Sequence, residues 1–314
     1  MPSIRVPAFA KVNLRLDVLA RRADGYHELR TIFQSISLHD TLYLERTRKR
    51  GIELEIVGNS SLAAVATREN LVWRAADALR HALKLSAGVR IRLEKRVPVG
   101  RGLGGGSSDA AAALAGLLRL SGQKIAMERL LEIAASLGAD VPFFLFGGRA
   151  LGTNRGDEIY PLPDLPRRTV LVVSPRGIAV STRDAYRWLG RRLTKQMPVS
   201  KLWSFCALCW SSREGSLSND FEAAVFKREA RLGSLRRRLL EQGAAEATLA
   251  GSGSAVFGMF RSPAQARRAA KQFPEDQVFL CTTISRAAYI RALWGRAGAA
   301  ETPRAPGQAS SPLG

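Results

Sequence analysis

The chain has 314 residues, 46% apolar and 24% charged, with 48 lysines and arginines against 27 acids and a formal net charge of +21. That length predicts two domains around sizeable cores, no apolar run approaches the ~18 residues of a membrane helix, and the opening Met1-Pro2-Ser3-Ile4-Arg5-Val6 lacks a secretory apolar stretch. Three cysteines make no disulfide framework, and the basic runs, such as Arg46-Thr47-Arg48-Lys49-Arg50 and Arg236-Arg237-Arg238, carry no interleaved aromatics for stacking bases, so a cytoplasmic protein without nucleic-acid or membrane partners is expected.

Residues 4–10, 12–19, 31–38 and 41–45 alternate apolar and polar side chains and predict strands of an antiparallel sheet. Asp24-Gly25 is a turn dipeptide between them and sets Tyr26 and His27 at a loop tip. Apolar residues recur at helical spacing over 70–85, and 89–97 returns to strand. Next comes Pro98-Val99-Gly100-Arg101-Gly102-Leu103-Gly104-Gly105-Gly106-Ser107-Ser108, followed by Asp109 and an alanine run. Glycines permit positive φ and close backbone approach, and the alanines start a helix whose free N–H groups and positive dipole end suit a phosphate. Ser107 and Ser108 add hydroxyls for a nucleotide phosphate or its magnesium ion. A Walker A loop is excluded because no lysine follows Gly106. A dinucleotide fingerprint lacks its acid about 20 residues on, where Gln123, Lys124 and Ile125 stand. A protein-kinase loop lacks both His-Arg-Asp and Asp-Phe-Gly.

Helices are predicted over 107–120 and 127–137, the second ended by Gly138. Asp140 then heads the apolar run Val141-Pro142-Phe143-Phe144-Leu145-Phe146 as a lone carboxylate, open to a role as helix cap, as functional group, or as both. Residues 149–160 read as strand and turn. The proline-rich 161–166 is the expected boundary between an N-terminal domain, 1–163, and a C-terminal domain, 164–295. In the second domain strands are predicted at 169–174, 246–249, 255–260 and 278–284. Helices are predicted at 182–193, 200–210, 220–226, 230–242 and 264–273, an α+β arrangement. Cys206-Ala207-Leu208-Cys209 has no second ligand pair and reads as packing on a helix face. Residues 296–314, rich in Ala, Gly, Pro and Ser, read as a disordered tail.

Taken together, Ala10-Lys11-Val12-Asn13-Leu14, the loop from Pro98 on, Leu137-Gly138-Ala139-Asp140-Val141-Pro142 and Leu249-Ala250-Gly251-Ser252-Gly253-Ser254 resemble the GHMP kinase superfamily. Asp24-Gly25-Tyr26-His27 resembles the branch that phosphorylates a cytidine diphosphate-linked methylerythritol in non-mevalonate isoprenoid synthesis. The resemblance implies a two-domain α+β fold, with an N-terminal domain like the second domain of ribosomal protein S5, a ferredoxin-like C-terminal domain and an active site in the cleft between them. It implies ATP with Mg2+, and phosphorylation of the acceptor's 2-hydroxyl. Lys11 and Asp140 match the catalytic pair, with Asp140 taking the hydroxyl proton or orienting the hydroxyl. Asn13, Tyr26 and His27 match substrate contacts, as do Thr182 and Tyr186 more loosely. Asn70 and Lys95 fall near the adenosine, and Pro98 to Ser108 hold the ATP phosphates. Arg101 departs from the pattern, which has a small residue there, and Asn154 stands where glycine is common. A monomer or weak homodimer is expected. The rivals are another GHMP kinase acting on mevalonate or homoserine, against which Tyr26 and His27 speak, and an RNA-binding protein, which needs neither the loop nor Asp140.

Overall fold

The computed structural model describes residues 3–22, 24–58, 67–190 and 217–295. Two long strands, β1 (Ser3–Arg21) and β2 (His27–Thr47), pair antiparallel along their whole length, where the alternation alone suggested four short ones. Three register shifts, at Phe9/Lys11, Asn13/Arg15 and Val18/Ala20, let the strands run on through the breaks in the pattern. β3 (Ile52–Val57) runs parallel to β4 (Gly88–Glu94), and β4 pairs with the far half of β2.

Between β3 and β4 lies α1 (Leu71–Ala82), which buries Val72, Ala75, Ala76 and Leu79 at three- and four-residue spacing. α2 (Gly105–Ser121) is packed on all sides, with Ala110 to Ala115 fully buried. Alanine is what this helix requires, because its neighbours come within methyl distance: a side chain at Gly116 would stand 2.8 Å from Leu44. α3 (Met127–Leu137), the one-turn α4 (Phe143–Phe146) and the strand pair β5 (Arg149–Thr153) and β6 (Glu158–Pro161) follow, with β5 joining β2.

The second half forms a four-stranded antiparallel sheet from β7 (Thr169–Ser174), β9 (Glu246–Leu249), β10 (Val256–Phe260) and β11 (Gln277–Thr282), in the order β11-β7-β10-β9. This is the ferredoxin-like strand order. Helices α5 (Thr182–Leu189), α6 (Glu222–Arg228), α7 (Ala230–Glu241) and α8 (Pro263–Ala270) cover one face, with Leu171, Val173 and Phe260 buried beneath them. The other face presses Val170, Val172, Phe257 and Met259 onto Ala10, Val12, Ile32 and Ile36 of the long hairpin. Burial on both faces explains why β7 reads as an unbroken apolar run.

The chain crosses back twice. The two-residue β8 (Ser218–Asn219) pairs parallel with β1, and α9 (Arg286–Trp294), which the periodicity did not announce, buries Tyr289 and Leu293 in the first core. Tyr289 Oη donates to the Phe144 carbonyl at 2.8 Å. The expected helix at 200–210, the Cys206/Cys209 pair, the end of the 182–193 helix and the tail lie outside the described residues.

Candidate active site

A cleft of about 750 Å³ opens where the hairpin, the glycine loop and the second sheet meet. The loop is gripped from both sides. The Lys11 N–H donates to the Leu103 carbonyl at 2.9 Å, and the Ala255 N–H donates to the Arg101 carbonyl at 3.2 Å. At Gly102 a Cβ would lie 1.8 Å from the Ala250 oxygen, and at Gly104, whose φ is +70°, one would lie 2.6 Å from the Phe144 ring. The loop is therefore a packed element, not a free surface turn. Gly104 is the residue before α2 and no side chain caps that helix, so its first-turn N–H groups stand at the cleft wall with the positive dipole end.

Facing this wall, Lys11 Nζ donates to Asn13 Oδ1 at 2.9 Å and lies 3.3 Å from Asp140 Oδ2. Lys11 and Asn13 are two residues apart in a regular stretch of β1 between two register shifts, so strand alternation puts both side chains on one face. Asn13 Nδ2 donates to Thr31 Oγ1 at 2.7 Å, which in turn donates to the Arg15 carbonyl, so the ammonium is held by a chain of buried partners. The Phe33 ring lies 5.4 Å from the same nitrogen. Asp140 is not a helix cap: Pro142 holds the cap position of α4, with no side-chain cap bond. A third of the Asp140 side chain is exposed, in the turn after α3.

At the other end, His27 and Tyr186 stack with ring centroids 4.4 Å apart, and the Arg155 guanidinium sits 5.0 Å from the centre of the exposed Tyr26 ring. Burial pushes the Tyr186 phenol up, and the Asp140 carboxylate adds to the shift. Thr182 Oγ1, at the start of α5, and Ser252 Oγ, in the turn between β9 and β10, are 3.1 Å apart and close the wall on that side.

The cleft thus gathers Lys11, Asn13, Tyr26, His27, Asp140, Thr182, Tyr186 and the loop from Pro98 to Ser107. Three other predicted residues do not line it. Asn70 caps α1, its side chain accepting from the Val72 N–H at 2.8 Å. Ser108 is buried and donates to the Phe9 carbonyl at 2.7 Å. Lys95 is buried under the loop, 2.5 Å from Asp40 Oδ2 and 2.7 Å from Asp109 Oδ2. Burial alone would push this ammonium down, but Asp109 and Asp40 outweigh it and its pKa is raised. Asp109 is itself pushed well above the carboxylate range by burial, against the pull of Lys95. Sequence reading passed over Arg155 and Ser252, which line the cleft. Ser252 belongs to the Gly251-Ser252-Gly253-Ser254 turn, whereas nothing local singles out Arg155. Among the described residues no cluster of three or more His, Cys, Asp or Glu is placed to hold a metal ion.

A glycine loop feeding an uncapped helix, opposed by a Lys–Asp pair and backed by a ferredoxin-like sheet, is the arrangement of a small-molecule kinase. Residues 70–148 match the family model described as the GHMP kinases N terminal domain, and 207–277 match the GHMP kinases C terminal model. The chain is 46% identical over 295 residues to the 4-diphosphocytidyl-2-C-methyl-D-erythritol kinase of Solibacter usitatus, covering 92% of this chain and 91% of that protein. A crystal structure of 4-(cytidine 5'-diphospho)-2C-methyl-D-erythritol kinase superposes with a TM-score of 0.74 at 37% identity, covering 89% of this chain and 99% of the other. The homoserine kinase of Cytophaga hutchinsonii shares the fold, with a TM-score of 0.66 at 20% identity over 91% of this chain and 95% of that one. The chain belongs to the 4-diphosphocytidyl-2-C-methyl-D-erythritol kinase family of the GHMP kinases.

Proposed function

We propose that this chain transfers the terminal phosphoryl group of ATP to the 2-hydroxyl of 4-diphosphocytidyl-2-C-methyl-D-erythritol, giving the 2-phosphate and ADP. The observation that carries the reading is the convergence in one cleft of the loop and helix N-terminus, the Lys11–Asp140 pair and the aromatic group of Tyr26, His27 and Tyr186.

Phosphoryl transfer through a loose transition state asks for positioning and for positive charge around the moving group. The loop N–H groups hold the ATP phosphates, and Lys11, fixed by Asn13, brings its charge to the transfer point. The acceptor hydroxyl sits at Asp140. As its oxygen bonds to the γ-phosphorus, the bond from that phosphorus to the bridging oxygen breaks, ADP leaves, and the hydroxyl proton passes to the Asp140 carboxylate. Tyr26, His27 and Tyr186 hold the cytosine, with Thr182 beside them, because a nucleobase offers a π face to stack. Ser107 lines the loop wall and would give magnesium one hydroxyl oxygen, a fit for an ion that takes most of its ligands from phosphate and water. Bound there, magnesium would neutralise charge on the β- and γ-phosphates. The enzyme works in the cytoplasm as a monomer or weak homodimer, without nucleic-acid or membrane partners. No helix among the described residues is long and apolar enough to cross a membrane.

The test is ADP release from ATP and magnesium with three acceptors offered separately. Turnover is expected with the cytidine diphosphate-linked methylerythritol and little with mevalonate or homoserine. Equal turnover of all three would remove the assignment.

A further inference from the structure

The glycine loop carries one charged side chain, and it has no charged partner among the described residues. Arg101 lines the cleft, half-buried, between Gly100 and Gly102. Its backbone is fixed by the bond from Ala255 N–H to its carbonyl, and its Nη1 donates to Ser254 Oγ at 2.6 Å. Ser254 spends its own proton on the Ile178 carbonyl at 2.8 Å, so the hydroxyl presents a lone pair to the guanidinium and nothing more. Several other partly buried arginines have carboxylates, Arg15 with Asp17, Arg155 with Asp157 and Arg231 with Asp276, while Arg119, away from the cleft, donates to the Leu293 carbonyl. Arg101 forms no ion pair among the described residues, and burial lowers its pKa with no acid opposing the shift.

A guanidinium has five N–H donors in a planar fork, and removing it from water without a counter-charge is costly. A side chain held in this way, in the wall of an anion-binding cleft, is matched to an anion that arrives with the ligand. We propose that Arg101 binds the terminal phosphates of ATP, adding a charged fork to the backbone N–H groups of the same loop. The inference rests on the ATP reading of the cleft. The nucleotide is chosen over the acceptor because Arg101 shares its loop with the helix N-terminus, whereas the aromatic residues that would hold the acceptor belong to other elements.

Affinities of the full chain for ATP, ADP and AMP, with magnesium present, test this in wild type, Arg101→Met, Arg101→Lys and Ser254→Ala. Arg101→Met is expected to weaken ATP and ADP by about 10- to 100-fold, the usual worth of a charge-assisted bond, and to leave AMP unchanged. Arg101→Lys should recover part of the loss, since it keeps the charge without the fork. Ser254→Ala, which keeps the guanidinium but removes its anchor, should lose far less than Arg101→Met. Unchanged ATP affinity in Arg101→Met overturns the proposal. So does an equal loss for AMP, or a Ser254→Ala variant that matches Arg101→Met in both affinity and melting temperature, because the residue would then only strap the loop to the second sheet. A wild-type chain that binds ATP but phosphorylates no tested acceptor removes the acceptor assignment and leaves this test standing. One that binds no ATP overturns both.

Discussion

Replacing Asp140 by Asn removes one negative charge and the proposed proton acceptor while keeping the side-chain shape. Lys11 does not lose its position in the variant, because Asn13 Oδ1 still accepts from its Nζ and the Phe33 ring remains beside it. The cost in stability is small. Asp140 is a third exposed, and an ion pair open to water on one side contributes about 0–1 kcal/mol. The cost in rate is large: a general base contributes about 10²–10⁴-fold, or about 3–5.5 kcal/mol of barrier. Steady-state kinetics should therefore show kcat lowered by that factor, with acceptor Kd little changed and circular dichroism as the folding control. Lys11→Ala should lower kcat as well, and the double variant should lose less than the product of the two, since the residues act as a unit. If folded Asp140→Asn keeps more than about a tenth of wild-type kcat, proton transfer is not its task and the base lies elsewhere in the cleft.

Tyr26→Ala should chiefly raise KM for the acceptor, by about 5- to 150-fold for a stacking contact of about 1–3 kcal/mol; an unchanged KM would take Tyr26 out of the site. Lys95→Met leaves Asp40 buried without its counter-ion and should cost about 3–5 kcal/mol in denaturant unfolding, whereas a change in ATP affinity with full stability would show that Lys95 acts on the ligand. Asp109 has a folded-state pKa raised above its ordinary 3.8, so the folded state holds this proton more tightly than the unfolded chain. Its contribution is present below 3.8 and is lost as pH rises through the folded value. Asp109→Asn should fold and flatten the pH dependence of stability over that window, and an undiminished slope would contradict the assignment.

Much of this protein is legible in local sequence because its causes act over a few residues. The glycines and alanines from Gly100 onward dictate a turn opening on a helix, and their order along the chain is enough to announce a phosphate site. The turn at Asp24-Gly25 presents Tyr26 and His27 for the same reason. Strand 169–174 and helix 127–137 fall where their apolar patterns place them. Side-chain partnership is different, because it depends on what packing brings near. Lys11 lies in β1 and Lys95 just past β4, and the sequence places the first in catalysis and the second near the adenosine, yet one faces Asp140 in the cleft while the other is closed in by Asp40 and Asp109 beneath the loop. Asn70 and Ser108 satisfy backbone groups of their own fold, a task that no motif distinguishes from ligand binding. Arg155 joins the site only because β5 and β6 bring their turn beside Tyr26. Helix α9 owes its place to the first core, which takes in Tyr289 and Leu293. Propensity and periodicity are short-range and survive in the sequence, whereas the pairing of a buried charge or the docking of a short helix is decided by the few long-range arrangements that leave no charge alone and no apolar face wet.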